Sequence, residues 1–263
     1  MSNMRVKYDL KEINHLDVLY SKRSNNHEIT VYDTSELYGE KGSFRVMQFS
    51  NAAIQGALDL NDPQRILFEY PRAIIHLMEL NDPSFEDVFV IGHGIGTIAR
   101  HFTEKNFRIA ELDALVVKLS QLFFGYDKDN VTIGDGRRIL EQEASDAYDY
   151  IILDAFTEQG TPLHLVSREF FKLVKEKLDT EGSIIMNLMG KSEHDHVINA
   201  IHTTLCEEFA YVTAFSLPSE GAADIQNIII IGRHKPIRFQ TRQMAGFYEI
   251  TLGEGHILRD TDA

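Results

Sequence analysis

The sequence predicts an α/β protein with a mostly parallel sheet, an antiparallel hairpin at one sheet edge and a small antiparallel β unit in front. From Val88 onward, apolar strand-like runs alternate with helix-like stretches, the pattern of a parallel sheet covered on both faces. Before about residue 60, short runs rich in β-branched or aromatic residues follow one another with turn residues between them. We therefore predict a β unit over residues 1–62 and a main domain over 63–263.

The β unit contains three strand candidates and is followed by a helix. The candidates are residues 28–34, 44–51 and 53–58, and the sequence GEKG at 39–42 predicts a turn between the first two. After it, Asp62 can cap a helix and Pro63 suits a first helical turn. Apolar residues then recur at helical spacing, which predicts a helix over residues 64–80.

The main domain contains strand candidates separated mostly by helix-like stretches. The last two have no long helix between them, which predicts the antiparallel edge hairpin. In chain order the candidates are residues 88–92, 107–113, 130–136, 148–156, 183–189, 209–215 and 225–232.

Composition narrows the classes of partner. There are 26 Lys and Arg residues against 40 Asp and Glu residues, a net charge of -14 at pH 7, which disfavours nucleic-acid binding and favours cationic or small-molecule partners. The single cysteine, Cys206, cannot form an intramolecular disulfide, which favours a reducing compartment. No apolar run approaches the ~20 residues of a membrane span. We expect a cytoplasmic protein with no membrane partner.

A glycine loop follows the first strand of the main domain. Gly92, Gly94 and Gly96 precede a helix-like stretch, and glycines at such a turn let the backbone and the helix amides approach a ligand closely. The sixth position of the motif is Thr97, so the loop reads GxGxG and lacks the third glycine of a dinucleotide fingerprint. The loop therefore disfavours NAD; it is the loop together with the acids at the next strand ends that suggests adenosine.

Three acids stand at the ends of the next three strands. Glu111 can accept hydrogen bonds from both ribose hydroxyls, although a solvated acidic turn is the alternative. Asp135, next to Gly136, can accept from an exocyclic adenine amine or cap the helix that begins at Arg137. Because ligands bind beyond the carboxyl ends of strands in open α/β sheets, Asp154 should face the same crevice, next to a cationic group. Its alternative role is to cap a loop.

Four segments resemble one known family: VFVIGHGIG (88–96), AELD (110–113), GDGR (134–137) and YDYIILDAF (148–156). They are similar to the polyamine aminopropyltransferases, the spermidine synthase family. That family is built on the Rossmann-like fold of class I S-adenosylmethionine-dependent methyltransferases. FRVMQFSNAAIQ and FEYPRAIIH are similar to its N-terminal β unit and first helix, and the likeness covers about residues 28–232.

This resemblance implies a transferase of polyamine biosynthesis that moves an aminopropyl group from decarboxylated S-adenosylmethionine to a putrescine-like amine. It also implies a homodimer or homotetramer and no tightly bound cofactor. Independently of the resemblance, the sequence contains no HExxH motif or carboxylate triad, so we expect no metal. Asp154 would help to deprotonate the amine, Tyr70 would shape the amine path and Glu158 would anchor the distal charge. The donor would be bound by Gln55, Gly92, Gly94, Gly96, Glu111, Asp135 and Gly136.

Two positions depart from the family pattern. The family loop reads GGGDGG, with an aspartate that holds the donor amine, and that position is Ile95 here. The signature D-S/T-S/T-D-P becomes Asp154-Ala155-Phe156-Thr157-Glu158, which keeps only the first aspartate. Methyl transfer from S-adenosylmethionine and a non-catalytic adenosyl-binding relative are therefore the alternatives. The apolar Val90 favours the aminopropyltransferase branch, because ordinary methyltransferases often carry an acid there.

Overall fold

The computed structural model describes residues 17–24, 28–50, 54–157, 160–191, 194–218 and 224–262, which contain two β-sheets. The N-terminal sheet is an antiparallel meander of four strands in chain order. It confirms the predicted β unit and adds a first strand that the sequence pattern did not reveal. Its strands are β1 (Asp17–Arg23), β2 (Glu28–Leu37), β3 (Glu40–Phe49) and β4 (Ile54–Asp59).

The turn between β2 and β3 consists of Tyr38 and Gly39. Both have positive φ, 49° and 81°, as a two-residue hairpin turn that matches the twist of its strands requires. The turn therefore lies one residue before the predicted GEKG segment, and β3 already begins at Glu40.

The second sheet has eight strands in the order β12-β10-β11-β9-β8-β5-β6-β7. Strands β5 to β9 are parallel, β11 runs antiparallel to β9, and β10 runs antiparallel to β11. This confirms the mostly parallel sheet and the β10–β11 hairpin. The strands are β5 (Asp87–Ile91), β6 (Asn106–Glu111), β7 (Val131–Ile133), β8 (Tyr148–Leu153), β9 (Leu178–Gly190), β10 (Tyr211–Ser216), β11 (Gln226–Arg233) and β12 (Tyr248–Ile250).

Helices cover both faces of the eight-stranded sheet. One core cluster packs α4, α5 and α6 against it, and another packs α1 and α2 against the opposite face. Among the described residues, no helix is long and apolar enough to cross a bilayer. The α-helices are α1 (Glu69–Asn81), α2 (Thr97–His101), α3 (Ala114–Phe124), α4 (Gly136–Glu141), α5 (Arg168–Lys177) and α6 (His196–Cys206).

The N-terminal sheet packs on α3 and on the glycine loop. Its inner residues Ile29, Val31 and Met47 share one apolar cluster with Leu119 of α3 and with Ile95, which is only 2% exposed. The N-terminal sheet thus shares buried apolar surface with α3 and the glycine loop, which fixes it above the end of β5. The division of the chain at residue 62 stays a prediction.

The first helix begins later than the sequence predicted, at Glu69 instead of residue 64. Asp59 accepts the backbone N–H groups of Asn61 and Asp62, and Arg65 bonds to Asp59 and Glu40. These contacts hold residues 61–68 in a non-helical connection, so Pro63 does not start the helix.

Two other predicted elements are shorter in the structure. The helix-like stretch after the glycine loop ends at His101. The strand predicted over 130–136 ends at Ile133, because Gly134 has a φ of 153° and Asp135 caps α4.

Candidate active site

The carboxyl ends of β5, β6, β7 and β8 border a cleft of about 690 Å³, part of it open to solvent. Tyr70 and Gly96 line an adjoining cavity, which shares Gln55 and Asp154 with the cleft. Glu158 lies outside the described residues. The cleft contains seven of the predicted site residues: Gln55, Gly92, Gly94, Glu111, Asp135, Gly136 and Asp154.

The glycine loop connects β5 to α2 in a conformation that excludes larger residues. Gly92, Gly94 and Gly96 have φ values of 100°, 53° and 76°. A β-carbon at Gly96 would overlap the ring of Tyr126, and one at Gly94 would lie 3.1 Å from the Gln55 carbonyl oxygen. Strand β4 therefore lies directly over the loop, which brings Gln55 to the cleft.

Glu111 is held at the end of β6 by backbone amides. Its Oε2 accepts from the N–H of His93 at 2.9 Å, and its Oε1 accepts from the N–H of Asp113 at 2.8 Å. Burial raises its pKa, and these backbone hydrogen bonds oppose the rise. The carboxylate is thus fixed beside the glycine loop, where each oxygen keeps a lone pair for a ligand hydroxyl.

Asp135 takes the capping role that was one of its two predicted alternatives. Its Oδ1 accepts the N–H of Arg138 at 3.0 Å, and its Oδ2 lies 2.9 Å from Nε2 of His164. Burial works to raise its pKa, but the hydrogen bonds from Arg138 and His164 outweigh it, and the pKa is lowered. A role with adenine stays a prediction.

Asp154 follows β8 and contacts two polar side chains. Nδ2 of Asn187 donates to its Oδ1 at 2.8 Å, and the Tyr70 hydroxyl donates to the carboxylate. Burial raises the pKa of Asp154 to about 6, although both hydrogen bonds oppose the rise. A carboxylate with a pKa close to neutral pH suits proton transfer.

His93, in the glycine loop, is buried and electrically neutral. Its ring Nε2 lies 2.7 Å from Oγ of Ser120, which donates its own proton to the Val117 carbonyl, so Nε2 is the donor. Burial, together with the charge of Arg100, lowers the pKa of His93 to about 4. The histidine packs edge-on against Tyr126 at 4.5 Å and supports the loop.

Ile95 makes an apolar packing contact and cannot bind a charged group of the donor. Its side chain packs under Gly56 of β4, where a β-carbon on the glycine would overlap it. Among the described residues, Asp154 is the only acid that lines the cavity beside Tyr70. The structure therefore shows an apolar contact where the family pattern carries an aspartate.

No role was predicted from the sequence for Asn187 or His164, which contact Asp154 and Asp135. Asn187 is 1% exposed, in a strand of otherwise apolar neighbours. A buried amide needs hydrogen-bond partners, so an asparagine inside an apolar strand was the signal that could have identified it. For His164 the sequence gave no comparable signal, since its partner Asp135 is 29 residues away.

The family model described as the Spermine/spermidine synthase domain matches residues 67–235, more than half of the chain. The chain belongs to this family. A polyamine aminopropyltransferase from Vibrio vulnificus (strain CMCP6) is 27% identical to this spermidine synthase family member over 218 residues. That match covers 77% of this chain and 69% of the relative. Putrescine N-methyltransferase 2 from Nicotiana tabacum is 30% identical over 145 residues, which cover 51% of this chain and 41% of the relative.

Solved structures show the same fold. A probable spermidine synthase from Corynebacterium glutamicum ATCC 13032 has a TM-score of 0.73 at 22% identity, covering 84% of this chain and 82% of the other. Human methyltransferase-like protein 13 has a TM-score of 0.54 at 21% identity, covering 68% and 90%. These likenesses confirm the Rossmann-like, class I methyltransferase type of fold. In the matches to eight of its curated relatives, this chain covers between 38% and 69% of the relative's length.

Proposed function

We propose that this protein is an aminopropyltransferase that moves the aminopropyl group of decarboxylated S-adenosylmethionine to a putrescine-like amine. The observation that carries the proposal is Asp154, a carboxylate with raised pKa that lies where the glycine-loop cleft meets the Tyr70 cavity. A nucleoside donor in the cleft and an amine in the cavity would meet beside it.

The reaction is a displacement at the carbon next to a sulfonium. The amine nitrogen forms a bond to this carbon, the carbon–sulfur bond breaks, and its electron pair returns to sulfur, which leaves as methylthioadenosine. Because the leaving group is already good, the protein must mainly align the two groups and remove an ammonium proton. If the pKa of the amine is about 10, only about one molecule in a thousand carries the unprotonated amine at pH 7.

Asp154 accepts that proton in the proposed reaction, directly or through water. Its burial supports this role, because a higher pKa makes the carboxylate a stronger base. Tyr70 donates to the carboxylate from the amine side. Glu158 remains the predicted anchor of the distal ammonium.

The donor is proposed to lie over the glycine loop. Glu111 supports this pose, because its two oxygens are pre-oriented by backbone amides toward a pair of vicinal hydroxyls. In this pose Asp135 and Gly136, which line the cleft, would border the adenine, and Gln55, which lies above Gly94, would be near the sulfonium. The donor is a co-substrate, and we propose no tightly bound cofactor.

Methyl transfer from S-adenosylmethionine is the second candidate. Ile95 favours it, because an isoleucine in place of the family's aspartate removes the charge that would repel the donor's carboxylate. The likeness to a putrescine N-methyltransferase adds support.

The test compares the two donors on the full-length protein. Calorimetric titration with decarboxylated S-adenosylmethionine, S-adenosylmethionine and methylthioadenosine is followed by mass spectrometry of the products formed with diamines. Preference for the decarboxylated donor and an aminopropylated product support the proposal. A methylated product moves the assignment to the second candidate, and binding without turnover points to the non-catalytic relative.

The Asp154→Asn variant tests the proposed base. It should abolish turnover while it preserves nucleoside binding, since the amide keeps the size of the side chain but cannot accept the proton. Unchanged turnover would remove Asp154 from the mechanism.

The proposal includes a homodimer or homotetramer in the cytoplasm. The unpaired thiol of Cys206 supports a reducing compartment. Light scattering behind size-exclusion chromatography tests the assembly, and a single-chain mass would contradict it.

A further inference from the structure

Two asparagines form a chain of hydrogen bonds that ends on Asp154. Nδ2 of Asn227 on β11 donates to Oδ1 of Asn187 on β9 at 2.8 Å. Nδ2 of Asn187 then donates to Oδ1 of Asp154 after β8, also at 2.8 Å. The two asparagines lie on neighbouring strands, and Asp154 directly follows β8, the next strand of the sheet.

The strand register places the two amides side by side. Asn187 is opposite Ile229 and Asn227 is opposite Met189, so both asparagines stand on one face of the sheet in diagonal positions. A shift of the register by one residue would move Asn227 to the other face. The contact is therefore fixed by the pairing of β9 and β11.

These two hydrogen bonds leave the side-chain amide of Asn187 a single favourable orientation. A side-chain amide has one accepting end and one donating end. Asn227 donates to the accepting end, so the donating end must face Asp154. The reverse orientation would set the Asn187 oxygen against the carboxylate and its NH₂ group against the NH₂ group of Asn227.

We propose that Asn187 and Asn227 are positioning residues that hold the Asp154 carboxylate in the orientation in which it accepts the substrate proton. The reaction in this statement rests on the proposed function; the effect on Asp154 does not. Neither asparagine needs to touch the substrate. Asn227 acts entirely through Asn187, which is 1% exposed and contacts both partners.

Few other groups compete with this chain of hydrogen bonds for Asp154. Tyr70 of α1 is the titratable side chain that contacts Asp154 in the described part of the chain. Glu111 and Asp135 line the same cleft from β6 and the start of α4. Neither acid is among the groups that shift the pKa of Asp154.

The test uses two opposite changes at Asn227. Asn227→Leu removes the donor and leaves Asn187 free to turn. Asn227→Asp supplies an acceptor instead, which favours the reversed Asn187 with its oxygen toward Asp154. Gln226→Met is the matched control, because Gln226 directly precedes Asn227 on β11 and its side chain lies on the opposite face of the sheet.

The first measurement follows the titration of the Asp154 carboxyl by NMR in protein with carbon-13-labelled aspartate. Asp154→Asn identifies the signal, and this readout needs no turnover. The midpoint should move to higher pH in Asn227→Leu and further in Asn227→Asp, while Gln226→Met titrates like the wild type. An unmoved midpoint in both Asn227 variants, at wild-type melting temperature, would overturn the proposal.

The second measurement separates the positioning role from the proposed reaction. The assay is aminopropyl transfer at pH 7. The kcat of Asn227→Leu should fall by about threefold to tenfold, which is the scale of one weakened hydrogen bond to a charged group. The KM for the donor should change little. If the wild type transfers no aminopropyl group but the midpoints move as stated, the positioning role stands and the proposed function fails. If the wild type is active and the midpoints stay, the positioning role fails alone.

Discussion

Gly92 and Asp154 lie so close that a β-carbon on Gly92 would overlap the backbone carbonyl oxygen of Asp154. The two residues directly follow the neighbouring strands β5 and β8, and the N–H of Asp154 donates to the carbonyl of Ile91 at 2.8 Å. The glycine loop and the proposed base are therefore one packed unit. Any group that separates them should disturb both.

We expect Gly92→Ala to lower the free energy of unfolding by more than about 3 kcal/mol, because it adds an overlap with backbone to an unfavourable φ of 100°. Gly39→Ala is the control, since Gly39 has a φ of 81° but open space around it, and it should cost about 1 to 2 kcal/mol. Urea unfolding measures both. Equal losses would contradict the packing argument.

Asp154→Asn should stabilise the protein at alkaline pH. The pKa of Asp154 rises from 3.8 to about 6 on folding, so the native state loses stability as pH increases through this window. At about 1.4 kcal/mol per unit, the cost at neutral pH is at most about 3 kcal/mol. Urea unfolding at pH 8 should show a gain of about 1 to 3 kcal/mol that vanishes near pH 4.

Asp129→Asn, at an exposed position, is the control for this gain and should change stability little. A variant at Asp154 that is less stable than the wild type at pH 8 would show that burial does not penalise the charge.

Tyr70→Phe should move the acid limb of the pH–rate profile to higher pH. The hydroxyl of Tyr70 donates to the Asp154 carboxylate and lowers its pKa, so its removal raises that pKa above about 6. We expect a shift of about one pH unit in kcat/KM, the scale of one hydrogen bond to a charged group. Tyr248→Phe, at an exposed position on β12, should leave the profile in place.

Glu111→Ala should weaken the binding of methylthioadenosine by about tenfold to a hundredfold, because hydrogen bonds to a pre-oriented carboxylate are lost. Calorimetric titration gives the dissociation constant directly. Glu104→Ala, at an exposed position, is the control. Wild-type affinity in Glu111→Ala would place the ribose elsewhere.

Asp260→Asn should loosen the loop that carries His164. Asp260 accepts two hydrogen bonds from Arg137, at 2.7 and 2.8 Å, and Arg137 also donates to the His164 carbonyl. Since Asp260 is partly exposed, we expect a loss of only about 1 kcal/mol. Hydrogen exchange of residues 160–166 should become faster, whereas Glu254→Gln, in the same tail, should not change it.

The Asp260 contribution should also depend on pH. The hydrogen bond from Arg137 is the main cause that lowers the pKa of Asp260 below 3.8. Its stabilisation is therefore present above pH 3.8 and is lost as the pH falls through the lowered pKa. A difference between Asp260→Asn and the wild type that does not shrink as the pH falls below 3.8 would contradict this assignment.

Particular residues show how far the sequence reached. The glycines at 92, 94 and 96 and the acids at 111, 135 and 154 lie at strand ends or within five residues of them. Strand ends can be found from local apolar patterns. The predicted start of α1 was wrong because Arg65 bonds to Glu40, 25 residues earlier in the chain, and this contact holds the segment before Glu69 outside the helix. Local patterns carry no information about such a contact.

The sequence by itself determined the alternation of strands and helices, the glycine loop and the acids that meet at one edge of the sheet, because each depends on neighbours within a few residues. Only the tertiary structure decided what each acid contacts. Asn187 reaches Asp154 across 33 residues, Asn227 reaches Asn187 across 40, and Asp260 reaches Arg137 across 123. The contact of Asp260 with Arg137 exists only once the C-terminal segment has packed against α4. The two asparagine contacts exist only after the strands have paired in register, since it is the register that brings distant side chains onto one face.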